Sequence, residues 1–261
     1  MKNNILTKKE PEKKLLITLK KKAGRGAGGR ITVRHKGGGV KRRYRLVDFG
    51  QEKEGVKGKV IAIEYDPYRT AFLALVEYEN KEKRYRLAAD GLKVGDEIIC
   101  AEKTEIKTGN RMKIKNIPVG TMVYNIELEP GRGGKLVRSA GTGAKVLAHE
   151  KKYTNLEMPS GEIRRVLGEC YATVGTVSYP EWRYMVLGKA GRTRLKGRRP
   201  TVRGTAMVPA DHPHGGGEGK SPIGLKHPKT PWGKPAFGVK TRKKKWTDKY
   251  IIKRRSKKKK K

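Results

Sequence analysis

The sequence predicts an all-β body of small barrels, flanked by two long, irregular, basic extensions. Three observations carry this reading. Short β-branched or alternating runs succeed one another through residues 44–177, with tight turns between them. No segment longer than about ten residues shows the i, i+3, i+4 apolar spacing of a helix. Charge is also segregated. Residues 1–47 hold 16 basic and 2 acidic side chains, 48–105 hold 10 and 13, 106–187 hold 13 and 7, and 188–261 hold 25 and 3. A balanced middle between polycationic ends reads as a globular body with two basic arms.

The first strand series comprises Tyr44–Phe49, Val56–Tyr65, Ala71–Tyr78, Arg84–Ala88 and Glu97–Ala101. Asp66-Pro67-Tyr68-Arg69 places proline second in a turn between two of these runs, and Glu79–Glu82 links the next pair. Five short strands with tight connections predict a small β-barrel. Pro118-Val119-Gly120 marks a boundary. A second series follows: Thr121–Leu128, Lys135–Arg138, Lys145–His149, Tyr153–Met158, Ile163–Val166 and Tyr171–Val177. Met158-Pro159-Ser160-Gly161 is expected to be a hairpin turn with glycine at positive φ. The domains are thus a basic extension over 1–43, one barrel over 44–118, a second over 119–187 and a Gly/Pro-rich basic extension over 188–261. Gly188–Arg199 has basic residues every second or third position and no helical spacing, so it is expected to be irregular. The terminal run Lys257–Lys261 is expected to be disordered.

The 261 residues carry a net charge of +39, with 35% hydrophobic residues and only three Phe. Self-repulsion of that size calls for a polyanion and argues against an enzyme of small metabolites. A membrane surface is the weaker partner, since no long amphipathic helix is present to lie on it. No apolar run approaches a membrane span, and the polar N-terminus does not read as a signal peptide. Glu10 and Glu12 argue against an import leader. Cys100 and Cys170 lie far apart with no C-x-x-C, which predicts two reduced, buried thiols.

Candidate contact residues concentrate in the arms. Gly24, Gly26 and Gly29 in KKKAGRGAGGR satisfy G-x-G-x-x-G, but lysines precede the motif and the β-branched run Ile31–Val33 follows it. A dinucleotide site needs an apolar strand before and a helix after, so the segment reads as a basic strip for phosphates. RHKGGGVKRR, Arg34–Arg43, repeats the theme. In the second arm, Arg192, Arg194, Arg198, Arg199 and Arg203 alternate with Gly191, Gly197 and Gly204, a pattern suited to threading between RNA helices. The stretch RRPTVRGTAMVPADHPHGGGEGK, Arg198–Lys220, is polar and Gly/Pro-rich and is expected to take its shape from a partner. Asp211, His212, His214 and Glu218 within it admit acid–base or zinc chemistry, but no protein cleft is expected to tune them, so RNA and loop contacts are the preferred roles. Gly219-Lys220-Ser221 lacks the upstream glycine and the helix of a nucleotide-hydrolase loop. Trp182, Trp232 and Trp246 are candidates for base stacking; of these, Trp182 is expected to pack on a barrel instead, and Trp232, inside TPWGKP, is the better stacking candidate. No RNP motif, helix-turn-helix or zinc finger is present.

RRPTVRG, DHPHGGGEG, HPKTPWGKP and KTRKKK resemble the ribosomal protein L-two family of the large ribosomal subunit, in its bacterial or organellar form, and the resemblance runs from about Glu10 onward. It implies an N-terminal OB-fold-like barrel followed by an SH3-like barrel. It implies a primary rRNA-binding structural protein, not an enzyme, near the peptidyl-transferase centre. Such a protein supports subunit association, tRNA binding and peptide-bond formation. Implied partners are large-subunit rRNA, other large-subunit proteins, small-subunit rRNA across an intersubunit bridge and, indirectly, tRNA. The implied location is the cytoplasmic ribosome, or an organellar one. No cofactor and no metal are expected. The candidate RNA contacts are Arg30, Arg34, His35, Lys36, Lys41, Arg42, Arg43, Arg192, Arg194, Arg198, Arg199, Arg203, His212, His214, Lys220, Trp232, Lys240 and Arg242. The family's disputed catalytic role for the first histidine of DHPH falls on His212. Two features depart from the family: few residues precede EPEKKLL, and TVSYPEWRYM over Thr176–Met185 is unfamiliar. The competing classes are a hydrolase or transferase using His212 and His214, and an architectural DNA binder.

Overall fold

The computed structural model describes residues 5–7, 10–50, 53–240 and 242–255; the expectation for Lys257–Lys261 lies outside them. Among the described residues, fifteen strands and one short helix are formed: β1 (Leu16–Ile17), β2 (Tyr44–Arg45), β3 (Gly58–Glu64), β4 (Leu73–Tyr78), β5 (Lys83–Leu87), β6 (Glu97–Ile98), β7 (Arg111–Lys113), β8 (Met122–Tyr124), β9 (Ile126–Glu127), β10 (Gly134–Leu136), β11 (Ala144–Glu150), β12 (Tyr153–Glu157), β13 (Ile163–Leu167), β14 (Tyr171–Val174), α1 (Ala190–Leu195) and β15 (Ile251–Lys253). The fold is all-β, as the strand runs required.

The chain divides into two compact units. One comprises Met1–Leu19, Arg42–Val186 and Trp246–Lys261, and the other Lys20–Lys41 with Leu187–Lys245. The first unit holds two main sheets. Strands β5-β4-β3-β6 form an antiparallel sheet, and β15-β13-β12-β11-β8-β14-β7 form a seven-stranded one. Phe72, Leu73, Leu75, Val76, Tyr85 and Ile98 are buried in the core of the smaller sheet, and Met112, Ile114, Val123, Ile126, Val146 and Leu156 in that of the larger. β4 is buried along nearly its whole length, so LALVEY lacks a strict alternation.

The hairpins follow from their turn residues. Asp66 closes the β3–β4 turn: its Oδ1 accepts the Tyr68 N–H at 2.9 Å, and its other oxygen pairs with Arg69. Between β12 and β13 the Met158 N–H bonds the Glu162 carbonyl at 2.9 Å, and Gly161 takes φ +79°. The run Tyr44–Phe49 contributes only two strand residues, then joins the smaller sheet where the Asp48 N–H bonds the Tyr85 carbonyl at 2.8 Å. The expected strand Thr121–Leu128 is broken at Asn125, whose φ of +49° turns the chain, so β8 and β9 belong to different sheets.

A buried ion pair ties β7 and β14 of the larger sheet to the separate β9–β10 pair. Arg111 on β7 and Glu127 on β9 are both 0% exposed, with Nη2 donating to Oε1 at 2.8 Å. Arg111 also donates to the Asn125 carbonyl at 2.6 Å, and the Glu127 carboxylate accepts the Tyr171 N–H at 3.1 Å. Burial pulls the Arg111 pKa below its usual value, against the opposing charge of Glu127. Cys100 and Cys170 are free and buried, and burial raises their thiol pKa values to about 11 and about 12. Both thiols are therefore protonated and unreactive at neutral pH. Trp182, expected to pack on a barrel, is 38% exposed in a single 3-10 turn, Pro180–Tyr184, that buries none of its residues.

Candidate nucleic-acid interface

The second unit is where the two basic arms meet. Residues 20–41 hold eight Lys/Arg and no acid, and residues 187–245 hold sixteen against Asp211 and Glu218. They are joined mainly through backbone. Gly37 N–H bonds the Gly197 carbonyl at 3.0 Å, Val40 N–H the Leu195 carbonyl at 3.0 Å, and Arg199 N–H the His35 carbonyl at 3.1 Å. Lys36 and Arg198 form an isolated antiparallel bridge. The glycines explain why such charged segments can approach. Gly39 lies at φ +83°, and a Cβ there would stand 2.8 Å from both Gly197 N and Leu195 O. A side chain at that position would separate the segments.

A short helix occurs in this unit, against the expectation of an irregular Gly188–Arg199. α1 has no buried residue, and its last carbonyls are taken by Lys196 N–H before Gly197 turns the chain at φ +83°. A helix this short needs no apolar stripe, which is why periodicity did not reveal it.

The candidate residues divide into two groups. Arg30, Arg34, Lys36, Lys41, Arg43, Arg192, Arg198, Arg199, Arg203, Lys220, Trp232, Lys240 and Arg242 are exposed. The others spend at least part of their hydrogen bonding on the protein. His35 Nδ1 lies 2.8 Å from the Pro200 carbonyl, a contact in which the ring nitrogen donates. Arg194 donates to the Gly37 and Arg198 carbonyls at 3.4 and 3.2 Å. Arg42, which belongs to the first unit, donates to the Pro67 carbonyl at 3.2 Å and lies 4.7 Å over the Tyr68 ring. Trp232 is 75% exposed, with the Arg34 guanidinium 5.5 Å from its ring centre. Reading side chains for charge alone missed Lys21, which clamps the Gly39 and Val40 carbonyls at 2.9 and 3.0 Å, and Gly204.

Gly204 matters because of His212. The loop was expected to lack protein walls, yet His212 is only 7% exposed, with its ring seated over Gly204. A Cβ on residue 204 would stand 2.6 Å from His212 Nε2 and nearer still to other ring atoms. His212 Nδ1 accepts the His214 N–H at 3.0 Å, and His214 Nε2 accepts the Lys229 N–H at 2.9 Å. The two rings lie 4.6 Å apart. Burial, then the neighbouring His212 and Lys229, lower the His214 pKa. Each histidine thus uses one ring nitrogen to hold backbone. Ser221 Oγ donates to the Glu218 carbonyl at 2.7 Å, capping its own turn. Gly24, at φ +76°, accepts the Thr32 and Val33 N–H groups, making a tight turn between basic residues with no helix after it. Among the described residues, no group of three His, Cys, Asp or Glu side chains converges as a metal site.

The arrangement is a backbone-welded scaffold presenting arginine and lysine heads outward, which suits the phosphates of a folded nucleic acid. Comparison with known families agrees. A family model described as Ribosomal Proteins L2, RNA binding N-terminal domain, matches residues 12–100, and one described as Ribosomal Proteins L2, C-terminal domain, matches residues 107–233. The protein is a structural, rRNA-binding component of the large ribosomal subunit. Matched over most of its length by both domain models, the chain belongs to the ribosomal protein L2 family.

Proposed function

We propose that the unit formed by Lys20–Lys41 and Leu187–Lys245 is the principal rRNA-gripping surface, with Arg30, Arg34, Lys36, Arg192, Arg198, Arg199, Arg203, Lys220, Trp232 and Lys240 as contacts. Lys41 and Arg242, within the same unit, and Arg43, in the first unit, are further contacts. Held at this surface, the protein stabilises rRNA around the peptidyl-transferase centre and supports subunit association across a bridge to small-subunit rRNA, with tRNA served indirectly. Other large-subunit proteins are further partners, and the cytoplasmic ribosome of the bacterial type is the proposed location. The observation that carries this reading is the backbone pairing of two polycationic segments, which leaves most charged heads exposed.

His212 positions the loop in this reading and does not transfer protons. Its Nδ1 is taken by the His214 N–H and its ring is buried over Gly204, which supports a structural role. The test is the salt dependence of binding to a large-subunit rRNA fragment. Replacing Arg198 and Arg199 with alanine removes two phosphate contacts, so the log–log slope should flatten by roughly 1.5. An unchanged slope would show that these side chains do not meet phosphate.

A further inference from the structure

Residues 234–261 lie beyond both matched family spans. Within them the chain returns to the first unit. Trp246–Tyr250 forms a 3-10 turn and runs directly into β15, which pairs with β13 at Ile163↔Lys253 and Arg164↔Ile251 as the outermost strand of the larger sheet. A tail expected to be irregular thus contains a strand, because Ile251-Ile252 supplies β-branched residues against an open sheet edge.

The turn carries a row of rings and cations. Tyr250 lies 6.4 Å from Tyr153 of β12, and Trp246 stands edge-on to Tyr250 at 6.3 Å. Lys249 Nζ is 5.2 Å from the Tyr250 ring and 6.0 Å from Trp246, while the Arg165 guanidinium lies 5.1 Å over Tyr153. Asp248 is the only acid between residues 246 and 255, and Arg254 pairs with it at 3.0 Å. Lys249, Lys253 and Arg255 of the same segment are exposed. Trp246 itself is 71% exposed. Tyr250 and Tyr153, half-buried, anchor the turn on the sheet. The indole adds little to that packing, so its burial does not account for a tryptophan here.

We propose that this turn, in the first unit, is a further RNA contact: Trp246 stacks on an unpaired base while Lys249, Lys253 and Arg255 take the flanking phosphates. The inference rests on the rRNA-binding reading above. The chemistry favours single-stranded over duplex RNA, because stacking needs a base face that a duplex keeps paired and stacked. Cations beside an exposed indole suit a base and its phosphates together.

The test uses the full chain with Trp182 and Trp232 both changed to phenylalanine, so that Trp246 alone reports. Its fluorescence is followed on titration with an oligouridylate of about 12 nucleotides, with an RNA duplex and with inorganic polyphosphate, while anisotropy of labelled RNA reports binding anywhere on the protein. Quenching by the single strand, and little by duplex or polyphosphate, is expected. Trp246→Ala in the otherwise natural chain should weaken oligouridylate binding by roughly 5- to 100-fold, with Trp246→Phe recovering most of it. Amide protection of Ile251 and Lys253 in Trp246→Ala separates loss of stacking from undocking of β15. RNA bound with Trp246 unquenched, or equal quenching by polyphosphate or duplex, would overturn the stacking site and leave the arm reading intact. No anisotropy change at all would overturn both.

Discussion

Replacing Glu127 with leucine tests whether the junction between the larger sheet and the β9–β10 pair depends on one buried charge pair. The substitution keeps volume roughly constant and strands the Arg111 guanidinium, which is 0% exposed and pairs with Glu127 at 2.8 Å. Breaking such a pair costs about 3–5 kcal/mol, because an uncompensated charge stays in a low-dielectric interior. The Tyr171 N–H, bonded to the same carboxylate at 3.1 Å, loses its acceptor, adding about 1 kcal/mol. The sum, about 4–6 kcal/mol, is a large part of the roughly 5–15 kcal/mol that holds an ordinary domain. Arg111→Met combined with Glu127→Leu removes both charges and should recover most of the loss. The measurement is urea unfolding of the RNA-free protein by far-UV circular dichroism, extrapolated to water. A loss below about 1 kcal/mol for Glu127→Leu, or a double variant no better than the single, would refute the argument.

Two further predictions concern the histidine loop. Gly204→Ala needs no unusual backbone angle, but its methyl would occupy the space of the His212 ring; the ring should leave, freeing the His214 N–H, whose exchange should quicken roughly tenfold. His212→Ala in the same background should relieve the clash, and unchanged protection in Gly204→Ala would show that the ring does not sit there. The lowered His214 pKa means the folded loop favours the neutral ring, so its contribution is complete above the unfolded value of 6.5 and is lost as pH falls through 6.5 toward the folded value. Protection of the Lys229 amide, corrected for intrinsic exchange, should therefore be lower at about pH 5 than at about pH 7.5, and equal protection would contradict it.

The strands legible in the sequence are those whose side chains alternate or are β-branched, since that pattern states which face is buried. β7 was missed for a physical reason. Arg111-Met112-Lys113 reads as a charged surface segment, and only the distant Glu127 makes a buried arginine tolerable. β15 was hidden in a run dominated by lysine and arginine, where two isoleucines gave too short a signal. The hairpin glycine Gly161 was legible because a tight turn needs positive φ locally. Gly39 and Gly204 were not, because what each glycine makes room for is Gly197 in one case and His212 in the other, both remote or irregular in sequence. The identity of the exposed cations was therefore readable, whereas the split between those facing outward and those binding the protein's own carbonyls, such as Arg194 and His35, was not.

That split explains how so charged a unit can hold together. Had the two arms paired through side chains, each salt bridge or hydrogen bond would have consumed a head needed for phosphate, and only Asp211 and Glu218 are present to pair with. Pairing through backbone amides at Gly37, Val40 and Arg199 uses groups that carry no net charge. The arginine and lysine stems then need not turn inward, and their mutual repulsion is eased by extending into solvent or onto a polyanion. The chain's path limits the entropy of that arrangement. Residues 20–41 leave and re-enter between β1 and β2, which pair at Leu16↔Arg45 and Ile17↔Tyr44, and the long second arm is followed by β15, which pairs with β13. Both arms are thus closed loops rather than free tails. Part of their ordering cost is met when the sheets form, and because closure entropy grows only slowly with loop length, even the longer arm gains from being tied at its far end.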